Sequence, residues 1–444
     1  MTDFNGLPAL LQGAGPIALD EDGRHWQGPE LLASASALSG QLRAGQSWLL
    51  SAAHPLHFAS GLLACWFAGA VPVLPPNGQG GTLNALLADC QGLIGDAVEG
   101  FSGRRLAPWC QGGLVAELPR LSGGELVLYT SGSTGEPKAI RKRLGQLAAE
   151  VAALEACFGQ QLGDALVLST VSHQHIYGLL FRLLWPLCAG RMLHCQQHAY
   201  PEHLAAAARG REVVLISSPA HLERLPEAAV MAPLAEGLRA VFSSGGPLSL
   251  EGARQAAAKL GQAPVEVLGS SETGGVAWRR QAISELWQPL PGVQAQAAQD
   301  GTLVVVSPFA GGEPQAMGDR VAFEADGRFR LLGRKDRIVK LEQKRLSLDA
   351  MERQLMSHPL VERAALVLLA GQRQQLGAVL VLTPKGRDWL AGHGRRALGL
   401  LLREALAGHY DRVVLPRKWR VLAEMPVNSQ GKTTQASLKA LFEQ

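Results

Sequence analysis

Leu126-Val-Leu-Tyr-Thr-Ser-Gly-Ser-Thr-Gly-Glu-Pro-Lys138 is the stretch that decides how this chain is read. Residues 126–129 form a short apolar run with the length of a buried strand, and small hydroxylated residues follow it. Gly132 and Gly135 permit a tight turn and let backbone N–H groups come close to an anion. Thr130, Ser131, Ser133 and Thr134 contribute hydroxyl groups, and Lys138 contributes a point positive charge. Such a loop at a strand's end predicts a cradle for a polyphosphate. Taken alone it also reads as a polar surface turn before an ordinary helix. Glu136 and Pro137 separate Gly135 from Lys138, so it is not the Gly-x4-Gly-Lys-Ser/Thr loop.

The totals set the frame around that loop. A length of 444 residues predicts two or more domains. With 47% hydrophobic and 18% charged residues, the chain has material for a large core and no compositional case for disorder. A formal charge of +4 demands no nucleic-acid partner. The opening Met-Thr-Asp-Phe lacks the basic and apolar regions of a signal peptide. The most apolar window, residues 61–74, is short for a bilayer and contains Pro72, so no membrane span and a cytoplasmic location are expected. The six cysteines (65, 90, 110, 157, 188, 195) include no Cys-x-x-Cys pair, and contexts such as Leu63-Ala-Cys-Trp-Phe67 predict reduced, buried thiols.

Ahead of the loop, Ser47-Trp-Leu-Leu-Ser51 reads as a strand, residues 55–68 as a helix and Ala70-Val-Pro-Val-Leu74 as a strand. That order predicts βαβ units and a parallel sheet. Behind it, Arg141, Lys142 and Arg143 either draw in a polyphosphate or begin a solvated helix. Leu144, Leu147, Val151, Leu154 and Phe158 mark that helix's buried face. Residues 164–170 read as a strand delivering Ser172-His-Gln-His-Ile-Tyr-Gly178 ahead of an apolar helix at 179–187. His173 and His175 thus stand where α/β folds place ligands. Residues 213–217 read as a strand running into a helix, and Leu238-Arg-Ala-Val-Phe-Ser-Ser-Gly-Gly-Pro-Leu248 repeats the pattern. Gly245, Gly246 and Pro247 follow the second strand, where the glycines either admit a planar ligand to the backbone or form a bare turn. In Val265-Glu-Val-Leu-Gly-Ser-Ser-Glu-Thr-Gly-Gly275, the Ser271 hydroxyl beside the Glu272 carboxylate suits a phosphate and its Mg²⁺. Gly318-Asp319 lies between strands at 303–307 and 328–332. After Asp336, a helix (348–356), strands (364–369 and 378–382), a helix (395–406) and a tail are expected. In the tail, Pro426-Val-Asn-Ser-Gln-Gly-Lys-Thr433 is no Walker A loop, because Pro426 stands where that loop needs glycine.

Taken in this order from residue 126 to 433, the motifs resemble those of the AMP-forming adenylating enzymes. That family includes acyl- and aryl-CoA synthetases, peptide-synthetase adenylation domains and luciferases. Residues 63–75 also resemble an early structural motif of the family. The resemblance implies an α/β fold: a large domain of parallel and mixed sheets with helices (1–335) holding ATP and a carboxylic acid, and a small mobile α+β lid (336–444) hinged at Asp336. It implies that residues 130–138 hold the β- and γ-phosphates, with Lys138 counted among the catalytic groups. Gly245, Gly246, Pro247, Leu268, Gly269 and Ser270 would line the adenine and acyl pockets, and Ser271 would meet the α-phosphate. Glu272 would bind Mg²⁺, Asp319 and Arg334 the ribose, and His175 would sit beside the substrate carboxylate. Lys432 would bridge that carboxylate and the α-phosphate.

The implied reaction is activation of a carboxylic acid to an acyl- or aryl-adenylate with release of pyrophosphate, then transfer to a phosphopantetheine thiol. Two departures from the family pattern bear on it. In the Tyr-Gly-x-Thr-Glu motif, Leu268 replaces the tyrosine and Ser271 the threonine, which keeps the hydroxyl but loses an aromatic face for adenine. In the thiol channel, Gln343 stands where CoA-using members carry glycine, with Lys340 nearby. Both free CoA and the phosphopantetheine of an acyl carrier protein therefore stay open as acceptors. A likeness to short bacterial acyl- and aryl-activating ligases points to aromatic or medium acyl acids. The competing reading is a non-catalytic nucleotide sensor or scaffold with a decayed site.

Overall fold

The computed structural model describes residues 4–444 except 14, 114, 116, 122–123, 132–136, 335–336, 342–343, 370–373, 408, 428–432 and 444. Two large sheets dominate the first three hundred of these. The six-stranded one runs Arg105–Leu106, Leu93–Gly95, Ser47–Ser51, Val71–Leu74, Glu125–Ser131, Pro137–Arg143. Its first five strands are parallel and the last folds back antiparallel. The expected βαβ unit is there, with the helix Pro55–Ala68 joining Ser47–Ser51 to Val71–Leu74. Gly69, at φ 68°, ends that helix in the left-handed conformation glycine tolerates.

The nine-stranded sheet has as neighbours Gln288–Pro289, Gly274–Arg279, Val265–Ser270, Leu238–Ser243, Val213–Ser217, Leu166–Ser169, Leu193–Gln197, Pro16–Leu19 and His25–Gln27. The strands from Val265–Ser270 to Pro16–Leu19 are mutually parallel, and those at both edges are antiparallel. Such strands are buried on both faces, which is why Val213-Val-Leu-Ile-Ser217 and its neighbours are apolar without alternation. Trp48, Phe58, Trp66, Trp185 and Phe242 lie fully buried in the main core between sheets and helices. A third, antiparallel sheet (Gln294–Ala297, Thr302–Val306, Gln315–Phe323, Phe329–Arg334) follows.

Beyond it, Ile338–Leu341 pairs with Lys344–Ser347, and Val361–Leu369, Gln375–Leu382 and Lys418–Leu422 make a three-stranded sheet. Two apolar clusters here draw only on residues from Leu341 to Phe442.

Several local expectations are corrected. The basic run after the phosphate loop does not begin a helix. Pro137–Arg143 is a strand paired with Glu125–Ser131, Thr130 opposite Lys138 and Val127 opposite Arg141, and the helix Leu144–Leu162 starts only after it. The period-two order of Lys138, Ile140 and Lys142 on one face is what a strand requires. The apolar stretch at 179–187 is a π-type segment, Leu179–Leu184, running into Trp185–Ala189. The expected helix at 395–406 is present; a preceding helical segment from Pro384, not expected, adjoins it across a break at Gly394 (φ 79°). The tail carries a strand, Lys418–Leu422, and a helix, Gln435–Ala440. The cysteines are free, but only Cys65, Cys188 and Cys195 are buried; Cys90, Cys110 and Cys157 are half-buried. Among the described residues no helix is long and apolar enough to cross a membrane.

Candidate active site

Gly132, Ser133, Thr134 and Gly135 lie outside the described residues, as do Asp336, Gln343 and Lys432. Ser131 and Lys340 are placed in strands, with their side chains outside the description. What is described is the ground on both sides of residues 132–136. Thr130 lies one residue from the end of the strand that enters them, and Lys138 one residue into the strand that leaves them.

Three sequence-distant segments meet at Glu272. Its carboxylate Oε1 accepts from Lys138 Nζ at 3.0 Å. Its backbone carbonyl accepts from Lys142 Nζ at 2.7 Å, and the same ammonium donates to the Phe309 carbonyl at 2.8 Å. Lys138 and Lys142 are four residues apart on one strand and so project from the same face. The first is at the rim and 63% exposed; the second is fully buried. Partial burial alone would raise the pKa of Glu272. The hydrogen bond and charge of Lys138 outweigh that and hold the group below the ordinary carboxylate range. An ionised carboxylate so placed is a hard oxygen donor of the kind Mg²⁺ takes.

The turn that carries Glu272 is held from within. The Thr273 N–H donates to Ser270 Oγ at 3.1 Å, and the buried Thr273 hydroxyl bonds the Gly274 carbonyl at 2.9 Å. Gly274, at φ 70°, turns the chain where a Cβ would lie 2.5 Å from Glu150 Oε2. Gly269 faces the Gly274 carbonyl so closely that a Cβ there would come within 2.5 Å. Leu268 is half-buried and packs on the main core. Ser271 is half-buried beside Glu272. Gly245, at φ 90°, and Gly246 follow the adjacent strand Leu238–Ser243, and no described atom lies within 4 Å of a Cβ on Gly246. The neighbouring Ser244 hydroxyl donates to the Val267 carbonyl at 2.9 Å, tying that turn to the strand of Leu268.

Asp319 and Arg334 face each other across antiparallel strands, with Arg334 Nη1 at 3.9 Å from Asp319 Oδ2. Asp319 is 9% exposed. A Cβ on Gly318 would press on the Arg334 guanidinium at 2.6 Å. The Arg334 N–H donates to Asp349 Oδ2 at 3.0 Å, which connects this pair to the helix Leu348–Met356.

His175 caps the short helix Ile176–Gly178 and is half-buried. His173 lies deeper, its Nε2 hydrogen-bonded to the Ala52 carbonyl at 2.9 Å. Burial, with the nearby Arg182 guanidinium, pushes His173 down to about 3; burial and His194 do the same to His198. A depressed histidine contributes stability that is present above its unfolded value of 6.5 and lost as pH falls toward the folded one. At pH 5 that amounts to about 2 kcal/mol per histidine, or about 4 kcal/mol for both. Urea midpoints measured from pH 7 to 5 are expected to fall accordingly, and more shallowly in His198→Phe. A flat profile would show that neither ring is held neutral.

Two residues here were not singled out from the sequence. Glu150 is buried on the helix Leu144–Leu162 and accepts the Gly275 N–H at 2.6 Å; Lys142 was read only as part of a basic run. A signal was present, because Glu150 falls on the stripe of Leu147, Val151, Leu154 and Phe158, and a carboxylate on a buried face needs partners. A second grouping, Asp20, His54 and Cys195, brings possible ligand atoms within 4.8 Å of one another. There, His54 Nδ1 accepts the Leu56 N–H, so Nε2 carries the proton and turns it to Asp20 Oδ2 at 3.5 Å. Asp20 Oδ2 also accepts from the Trp26 indole, so the carboxylate and the imidazole each already hold a structural hydrogen bond.

The glycine-rich turns at the carboxyl ends of parallel strands, together with the rim carboxylate and its lysine, define a nucleotide-handling α/β enzyme. Residues 125–318 match the AMP-binding enzyme family. The chain is 28% identical to a 4-coumarate–CoA ligase of Cereibacter sphaeroides, over 74% of this chain and 75% of that protein. It is also 28% identical to an L-proline–[L-prolyl-carrier protein] ligase of Streptomyces coelicolor, over 77% and 72% respectively. Among solved structures, ATP-bound MatB from Rhodopseudomonas palustris superposes with a TM-score of 0.81 at 18% identity, covering 100% of this chain and 99% of that one. The amide bond synthetase McbA from Marinactinospora thermotolerans gives 0.78 at 20%, covering 98% and 99%. In sequence the chain is thus similar to acid–thiol ligases over about three quarters of its length, with the AMP-binding family match confined to residues 125–318.

Proposed function

We propose that this protein is an acid–thiol ligase that activates an aromatic or medium acyl carboxylic acid with ATP and passes it to a phosphopantetheine thiol. In the first step a carboxylate oxygen attacks the α-phosphorus, the bond from that phosphorus to the α,β-bridging oxygen breaks, and pyrophosphate leaves with the electron pair. In the second, the thiol sulfur attacks the acyl carbon, AMP departs, and the thiol proton passes to solvent. Positioning and fixed cations lower the first barrier. The observation that carries this reading is the meeting of Lys138, from the phosphate loop, with Glu272, from the Ser270–Ser271–Glu272 turn.

Lys138 would neutralise the outer phosphates together with Thr130 and the loop residues 131–135, while the Ser271 hydroxyl donates to the α-phosphate. His175 orients the acid. Gly245, Gly246 and Pro247, with Leu268 and Gly269, form the walls against base and acyl group. Glu272 would hold Mg²⁺, which when bound supplies positive charge to the phosphate oxygens. Residues 336–444 form the lid, hinged at Asp336 and bringing Lys432 to the reacting centre. Gln343 and Lys340 flank the thiol's path, with either CoA or a carrier protein as acceptor; the named relatives include ligases of both kinds.

Asp319 and Arg334 would hold the ribose hydroxyls. Asp319→Ala removes a charged acceptor worth about 1.5–3 kcal/mol, so KM for ATP is expected to rise about tenfold to a hundredfold with kcat little changed. An unchanged KM would place the ribose elsewhere. The reading as a whole is tested by ATP–pyrophosphate exchange over benzoates, cinnamates and C4 to C16 fatty acids. Exchange with one class names the substrate. ATP binding without exchange on any acid would favour the sensor or scaffold.

A further inference from the structure

Glu150 and Lys142 are charged side chains with 3% and 2% exposure, placed directly beneath the turn that carries Glu272. Burying either group alone is costly, so the pair calls for a reason. Each holds backbone of that turn or of its support. Lys142 Nζ bonds the carbonyls of Glu272 and Phe309 at 2.7 and 2.8 Å. Glu150 Oε1 accepts the Gly275 N–H at 2.6 Å. The turn is thus gripped on either side of its bend, by the Lys142 amine at residue 272 and a Glu150 carboxyl oxygen at residue 275. The sequence is fitted to that grip. Only glycine leaves room at 274, where a Cβ would lie 2.5 Å from Glu150 Oε2, and at 275 it would meet Glu150 Oε1 at 3.1 Å. The Phe309 carbonyl adds a third anchor from the segment Pro308–Ala310, whose Ser307 cap is fully buried.

We propose that Lys142 and Glu150 are positioning residues: a buried brace that fixes the Glu272 carboxylate where it receives the metal of Mg·ATP. The inference rests on the adenylation reading for the identity of the metal's partner. Neither side chain touches substrate. Lys142 acts through the Glu272 carbonyl, and Glu150 through the Gly275 amide. Partners one step behind a metal-binding carboxylate set its orientation, and their loss costs metal affinity rather than chemistry.

The test compares full-length wild type with Glu150→Ala, Glu150→Gln, Lys142→Met and Leu154→Ala. The last removes packing from the same helix without touching the turn. ATP–pyrophosphate exchange is followed across a Mg²⁺ series, and calorimetry titrates ATP with Mg²⁺ and with EDTA. For Glu150→Ala and Lys142→Met, the Mg²⁺ concentration giving half-maximal exchange is expected to rise about tenfold to a hundredfold. ATP affinity should weaken in Mg²⁺ and stay unchanged in EDTA, with KM for the acid unmoved. Glu150→Gln keeps an acceptor for the Gly275 N–H and should recover most of the loss. Leu154→Ala should lower Tm and leave the Mg²⁺ profile in place.

An unshifted Mg²⁺ midpoint in Lys142→Met, or an equal shift in Leu154→Ala, overturns the brace. Should Glu150→Ala fail to fold, Lys142→Met and Glu150→Gln decide. A wild type that binds Mg·ATP but exchanges with no acid sinks the adenylation reading alone, and the calorimetry still judges the brace. A wild type whose ATP affinity ignores Mg²⁺ overturns the brace as stated.

Discussion

Glu272→Ala is expected to lower acid-dependent ATP–pyrophosphate exchange by about 10²–10³-fold, the scale of losing one fixed electrostatic partner of a transition state. The fold should hardly register the change. The Lys138–Glu272 pair joins side chains that are 63% and 41% exposed, and exposed ion pairs contribute about 0–1 kcal/mol. The turn itself stands on backbone contacts from Lys142 and Glu150, which the substitution leaves in place. Activity and stability should therefore separate, with Tm close to wild type and exchange nearly lost. Glu272→Gln keeps the shape but removes the charge, and should resemble alanine if the carboxylate serves a cation. Exchange within threefold of wild type in both variants would remove Glu272 from the site.

The second large effect concerns Lys432, in the segment outside the described residues. Lys432→Ala is expected to slow adenylate formation by about 10²–10³-fold, the loss that follows from the role proposed for this lysine as the cation at the pentavalent phosphorus. Transfer from a chemically prepared acyl-adenylate to the thiol should change little, since that step develops charge at the acyl carbon's oxygen. Single-turnover assays of the two halves separate these outcomes. Equal losses in both halves would mean that Lys432 serves the lid's fold. A normal first half would leave the terminal Gly431-Lys432 as solvated chain.

Much of this was legible in the sequence where one element obeyed one rule. Ser47–Ser51, Pro55–Ala68, Val213–Ser217 and Leu348–Met356 fall where apolar runs and periodicity put them. The strand ends carrying Gly245 and Glu272 follow from the same rules, whereas Asp319, expected between two strands, lies in the middle of a strand of its own, Gln315–Phe323. What was missed turns on pairing between distant segments. Pro137–Arg143 looks like a solvated basic run because the carbonyls that accept from Lys142, at Glu272 and Phe309, lie 130 and 167 positions away. Glu150 meets Gly275 across 125 positions, a contact no periodicity encodes. The π-type segment Leu179–Leu184 is likewise set by packing and not by its helical composition.

The borders of the two large sheets also bear on how copies of the chain meet one another. The nine-stranded sheet ends in Gln288–Pro289 on one side and His25–Gln27 on the other; the six-stranded sheet ends in Arg105–Leu106 and in Pro137–Arg143. Three of these borders are two or three residues long, and one of those contains a proline that donates no hydrogen bond. The longer border carries Lys138 and Arg141 on its exposed positions, so a second copy laid alongside would set like charges against each other. Wide parallel sheets of this kind fold slowly and expose their rims while doing so. Short, proline-bearing and cationic rims deny a neighbouring chain a template for strand exchange, which favours refolding over amyloid-like growth after partial denaturation.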